Sequence, residues 1–237
     1  MMMKKLVLAS AFVLSMTILS GTAWADNITI ANPSFQTNPG TLTPNCPLGG
    51  PTCAFNMGPI DGWSTTGGQG GYWQPGSYFP GLAAGELIGY VNFAGSLSQT
   101  LTGNSVLANS IYALSVSVGD RAIDGLSGGY TLSLDTIVGG VTTALCSFTG
   151  NASTIGSGMF QVEGCTYTSS SSVPSGNLFL QLTANSGQLD VDNVSLTVQS
   201  ATTSVPEPSS VLLLSFGMLF LLSTLVVRRK KELQLAA

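Results

Sequence analysis

From Glu86 to Val198 the chain repeatedly alternates apolar and polar residues, and this pattern limits the fold more than any other feature. Ser110–Val118 (SIYALSVSV) and Tyr130–Val138 (YTLSLDTIV) are regular examples. Side chains of a strand point alternately to its two faces, so such segments suit half-buried β-strands and cannot give a helix one apolar stripe. Further segments of this kind are Glu86–Phe93, Ser96–Thr102, Val141–Thr149, Met159–Tyr167, Asn177–Leu182 and Leu189–Val198. Gly139-Gly140 joins two of them, and glycine supplies the positive φ that tight hairpin turns need. Asn27–Ile30 adds a short N-terminal strand. No window between residues 26 and 204 has helical periodicity. Roughly nine or ten short strands with Gly-rich turns predict an all-β chain, an antiparallel β-sandwich.

The ends of the chain follow different rules. Lys4 and Lys5, the apolar run Leu6–Leu19 and Ala23-Trp24-Ala25 have the order of a secretory signal peptide, so residues 1–25 are expected to be removed after the Sec translocon and signal peptidase have acted. At the other end, Ser209 to Val227 carry no charge. As a helix this stretch is about 28 Å long, close to the apolar thickness of a bilayer. Pro206 and Pro208 keep the helix from starting earlier, and Arg228-Arg229-Lys230-Lys231 place the C-terminus in the cytoplasm. This gives three regions: 1–25, the exported domain 26–204, and a tail 205–237 with a transmembrane helix at 209–227 and a basic stop at 228–231. Span and basic stop fit a permanent anchor and a removable signal equally well.

Charge narrows the partners. Residues 26–204 contain nine acidic residues and one basic residue, Arg121, a formal charge of −8, and the chain has no histidine. Such a surface repels phosphate backbones, which argues against nucleic acid. The missing histidine excludes Ser-His-Asp and Cys-His catalysis and the common zinc sites. Cys46 and Cys53 bracket a Pro/Gly loop, while Cys146 and Cys165 flank a Gly/Ser-rich segment. Export favours oxidation, and the local pairs 46–53 and 146–165 are expected. A cysteine metal site is the rival, without His or C-x-x-C to support it.

Val205-Pro206-Glu207-Pro208-Ser209, the apolar span and the Arg/Lys cluster together resemble the PEP-CTERM sorting signal of Gram-negative bacteria. The resemblance implies an exosortase, a membrane protease or transpeptidase, that recognises Pro206, Glu207 and Pro208 and cleaves nearby. It also implies a cell-surface or extracellular destination in bacteria that make exopolysaccharide and biofilm. Six residues, Glu232–Ala237, follow the basic cluster where family tails often stop sooner. Asn32-Pro-Ser-Phe35, Gly62-Trp63 and Asp192-Asn193-Val194-Ser195-Leu196 resemble the opening and closing signatures of galactose-binding-like jelly rolls. That resemblance implies a jelly-roll-like sandwich with a taste for sugars, and a Ca²⁺ held by Asp192 with oxygens of the N-terminal segment at Asn32.

Asp190 and Asp192 share one strand face at i and i+2, roughly 7 Å apart. Three readings stay open for them: a glycosidase pair, a calcium site or a solvated face. Trp73, Tyr72 and Tyr78 are the candidates for stacking on a sugar, whereas Trp63 suits the core. Arg121 is expected to pair with its Asp neighbours. The leading expectation is a non-enzymatic exported surface or matrix protein associated with exopolysaccharide. The alternatives are a glycan-active enzyme and a plain single-span membrane protein.

Overall fold

The computed structural model describes residues 25–37, 39–44, 46, 53–201 and 216–218. Residues 24–201 form one compact unit, and 1–23 with 202–237 form another. The signal peptide expected at 1–25 therefore lies outside the described residues apart from Ala25. So does the tail, Pro206, Glu207 and Pro208 included, apart from a helical turn at 216–218. Among the described residues no helix is long and apolar enough to cross a membrane.

The domain has twelve strands: β1 (Asp26–Asn27), β2 (Ala54–Asn56), β3 (Ser64–Thr66), β4 (Gly70–Gln74), β5 (Ile88–Asn92), β6 (Ser96–Ser105), β7 (Ser110–Asp120), β8 (Gly129–Val138), β9 (Val141–Asn151), β10 (Met159–Thr168), β11 (Asn177–Ala184) and β12 (Gln188–Ser200). They build two sheets, both antiparallel. One runs β10-β7-β12-β5-β4-β2 with β1 also on β12, and the other runs β3-β6-β11-β8-β9. This is the antiparallel β-sandwich expected from the alternation, and it is jelly-roll-like as the resemblance to galactose-binding-like domains implied.

The alternation also sets the core. In β11 every second residue is buried, and Leu178, Leu180, Leu182 and Ala184 meet Leu114, Val116 and Val118 of β7 and Leu189, Val191 and Leu196 of β12 in one cluster. Trp63 belongs to it, 5 % exposed, with its indole N–H on the carbonyl of Ala31 at 3.0 Å. Burying each large side chain there contributes about 1.5–3 kcal/mol. Both disulfides form the local pairs, Cys46–Cys53 and Cys146–Cys165. All these groups lie within residues 24–201.

The Pro- and Gly-rich stretches 37–60 and 65–85 hold β2 and β4, and β3 runs into the start of the second. Glycine has a strand role here. A Cβ on Gly71 would lie 1.8 Å from the Asn56 carbonyl oxygen, so only glycine lets β2 approach β4. The strand expected at Asn27–Ile30 is reduced to Asp26–Asn27, followed by a bond from the Ile28 N–H to the Leu196 carbonyl.

Candidate functional site

Strand β12 carries most of the polar groups of the site. Leu189 and Val191 turn into the main core, so Gln188, Asp190 and Asp192 face the other side of the seven-stranded sheet. That outer side is not bare. A second apolar cluster of Cys53, Trp73, Tyr78, Phe79, Ile88 and Tyr90 covers it. The segment after β4 folds back over the sheet through a short 3-10 turn, Gly76–Tyr78. Phe79 then lies on β7 at Gly119, where a Cβ would sit 2.7 Å from the ring.

Asp190 lies beneath this layer, paired in register with Tyr90 and Gly119 and wholly buried. Its Oδ1 accepts from the Gln188 side-chain amide at 2.5 Å, while Oδ2 has no protein partner. Burial pushes its pKa up to about 7, only partly offset by Arg121 and by the Gln188 hydrogen bond, with Asp124 and Asp120 adding to the rise. Tyr90, beside it, is pushed up to about 12 by burial and by the charge of Asp190.

Arg121 closes the arrangement. Its guanidinium lies 4.5 Å from the Trp73 ring centroid and 4.4 Å from that of Tyr78. It pairs with Asp124 at 3.3 Å and donates to Gln188 Oε1 at 3.2 Å, while its Nε is buried without a partner. Gln188 therefore links the guanidinium to the buried carboxyl. The indole N–H of Trp73 points to Cys53 Sγ at 3.3 Å, which ties the Cys46–Cys53 disulfide to the same wall.

These groups border an open cleft of about 240 Å³. Its polar lining is Gln69, Asn92, Gln188 and Arg121, and its apolar lining includes Phe55, Met57, Leu126 and the edges of Trp73, Tyr78 and Tyr90. A larger hollow, about 280 Å³, is formed by the loop from Gln74 to Glu86. Its one titratable group, Glu86, accepts the Ala83 N–H at 2.8 Å, so this hollow offers little chemistry.

The stacking expectation changes in this geometry. Tyr72 is fully buried in the main core, and its hydroxyl is spent on Asn32, the Asp61 N–H and the Thr37 carbonyl. It can meet no ligand. Trp73 and Tyr78 are 3 % and 4 % exposed and each gives a ring face to Arg121, so they wall the cleft and offer no free platform. Sequence spacing shows which residues share a strand face, but not that a later segment covers that face.

Asp192 sits two residues further along β12, before a bulge at Asp192–Ser195 where Asn193 takes a φ of 48°. Its oxygens accept the backbone N–H and the side-chain amide of Asn193, at 2.8 and 3.0 Å. Burial raises its pKa to about 6; the Asn193 N–H lowers it and Glu86 adds to the rise. The neighbouring segment is close, since the Val194 N–H bonds to the Pro33 carbonyl. Asp192 fits a Ca²⁺ ligand, a buried anionic oxygen donor with one hydrogen bond per oxygen. The Asn32 oxygen likewise accepts one hydrogen bond, from the Thr37 N–H, and its amide donates to the Tyr72 hydroxyl. Among the described residues no three His, Cys, Asp or Glu side chains gather as a metal cluster.

Comparison with known proteins agrees with both parts of the chain. Residues 204–230 match the PEP-CTERM protein-sorting motif, which marks an exported protein of Gram-negative bacteria with a C-terminal sorting signal for an exosortase-type system. No curated protein matches the chain. Among solved structures, the apo form of a cyclase from Fischerella sp. superposes with a TM-score of 0.60 at 22 % identity, over 76 % of this chain and 98 % of that one. It has the same fold. A carbohydrate-binding module of family CBM4 aligns at 12 % identity and a TM-score of 0.44, over 72 % of this chain and 100 % of that one. The tandem CBM22-1-CBM22-2 domain of Paenibacillus barcinonensis Xyn10C aligns at 14 % identity and 0.47, over 80 % and 50 %. Residues 26–197, nearly the whole sandwich, match the family model described as HpiC1 cyclase, and the chain belongs to this HpiC1-like family.

Proposed function

We propose that this exosortase-sorted protein is a non-enzymatic component of the cell surface or matrix whose outer-face cleft binds extracellular polysaccharide. The observation that carries this reading is the lining of the cleft. Gln69, Asn92 and Gln188 offer neutral donors and acceptors beside Phe55, Met57 and Leu126, a mixture suited to sugar hydroxyls and C–H faces. The one cation there is already paired with Asp124. Asp190 is fully buried behind Gln188 and does not reach a glycosidic oxygen in the cleft. Titration of residues 26–204 with the producer's exopolysaccharide tests this: saturable binding is expected, weakened at least tenfold in Gln69→Ala/Asn92→Ala. Absence of binding to exopolysaccharide and to producer cells refutes it.

A second reading is acid-assisted conversion of a small ligand, and the protonated Asp190 favours it. Its pKa near 7 leaves about half of it as the carboxylic acid at neutral pH, one side chain away from the cleft. The cyclase description of the family points the same way. A ligand that displaced the Gln188 side chain would meet this acid. An activity unaffected by Asp190→Asn together with Asp192→Asn removes the reading. Calcium at Asp192 belongs to either one as a structural element that would hold the N-terminal segment against the β12 bulge.

A further inference from the structure

We infer that the Cys46–Cys53 disulfide is a thiol-acceptor site in the wall of the cleft: a low-molecular-weight thiol that enters is captured on Cys46, and Cys53 leaves as the free thiol. The two halves of the bridge are placed unequally. Cys46 is half-buried and borders the cleft together with Phe55, Trp73 and Tyr78. Cys53 is 2 % exposed and lies inside the second apolar cluster. Cys46 is therefore the half that a reagent in the cleft meets. The other bridge, Cys146–Cys165, joins β9 to β10, and both its cysteines pack against the main core.

A hydrogen bond gives the exchange its direction. The rate of thiol–disulfide exchange depends on which sulfur is attacked and on how readily the other one leaves. The Trp73 indole N–H donates to Cys53 Sγ at 3.3 Å, and a donor aimed at the departing sulfur stabilises its thiolate. The Arg121 guanidinium, 4.5 Å from the centroid of the same indole, adds positive charge beside it. Burial of Cys53 disfavours a thiolate, and these two groups act against that cost. In the step itself, the thiolate of the small molecule attacks Cys46 Sγ and the S–S bond breaks. Its electron pair passes to Cys53 Sγ, which takes up the proton the small thiol gave off. Cys46 then carries the small molecule as a mixed disulfide. Attack by Cys53 on Cys46 Sγ expels the thiol and restores the bridge. A second molecule of thiol instead leaves two cysteine thiols and the oxidised disulfide of the small molecule. Capture fills part of the cleft and frees Cys53 beneath Trp73, so ligand binding there follows exposure to thiol.

Time-resolved mass mapping tests this: the folded full chain in mild detergent is treated with 2-mercaptoethanol and quenched by alkylation. The adduct is expected on Cys46 with Cys53 alkylated. It should form at least tenfold faster than Cys146–Cys165 opens, and the tryptophan emission should change at the same rate. Removal of the thiol should restore the parent mass and emission. Trp73→Phe should reduce the preference for Cys46 over Cys53 at least threefold, and the mapping of the parent protein decides alone where that variant misfolds. An adduct on Cys53, equal opening rates for the two bridges, or a Cys46–Cys53 bridge that resists the thiol in the folded chain overturns the inference.

Discussion

The guanidinium of Arg121 lies over the Trp73 ring, 4.5 Å from its centroid, and bonds through Gln188 to the layer that holds Asp190. A lysine keeps the charge but loses the planar stack and the forked donors. Arg121→Lys should lower unfolding stability by about 1–3 kcal/mol, read from urea denaturation. Arg121→Ala should cost more, since it leaves Asp124 and Asp190 without their cation. A lysine variant as stable as the parent would show that the stack contributes nothing.

Buried acids make stability depend on pH, Asp190 and Asp192 foremost, with Asp135, also raised by burial, adding in the same direction. Asp190, raised from 3.8 to about 7, and Asp192, raised to about 6, hold protons in the folded state that the unfolded chain releases. Folding then binds protons between about pH 4 and pH 7, so stability falls as pH rises through this window and levels off above it. Melting scans in chelator should show that slope. Asp190→Asn should reduce the slope across the window and remove Asp190's part between about pH 6 and 7, and Asp192→Asn should reduce only its lower part.

Each disulfide closes a short loop. In the chain-entropy picture, loss of Cys146–Cys165, nineteen residues apart, costs about 3 kcal/mol. Loss of Cys46–Cys53, seven residues apart, costs slightly less. The two differ in a second way, because Cys53 touches the Trp73 indole. Serine pairs at 46 and 53 should therefore change the tryptophan emission and the binding in the cleft, while pairs at 146 and 165 change stability alone.

Calcium is read from the melting midpoint with added Ca²⁺ and with chelator. A higher midpoint with the metal is expected, and Asp192→Asn should abolish the difference. Equal midpoints in the parent protein remove the site.

Sorting is read from intact mass at the cell surface. Processed protein should lack residues 209–237, and changing Pro206, Glu207 and Pro208 to alanine should leave that segment attached. A parent protein that keeps it in the surface fraction argues for a permanent anchor.

The strands from β6 to β12 were legible because each alternates over six or more residues and glycine marks several of the turns between them. β2 and β3 were not, since three residues carry no period, and in β4 the glycines that permit close strands look like those of a loop. The site was half legible. Asp190 and Asp192 share a face as their spacing demands, but sequence could not show that Trp73, Tyr78 and Phe79 cover it. The roles of Gln188, Gln69 and Asn92 left no local signal, because an isolated amide is as common in a solvated strand. Arg121 did stand out, as the sole cation between residues 26 and 204.

β12 is the last strand of the domain in sequence, yet it pairs with β1, β5 and β7. An exported chain crosses the membrane from its N-terminus, so these three strands emerge without the partner that joins them. The seven-stranded sheet cannot close until residue 200 has followed. Secretion thus keeps this sheet open until almost all of the domain is outside. Closing that sheet joins the two ends of the domain, a long-range step that is slow by nature.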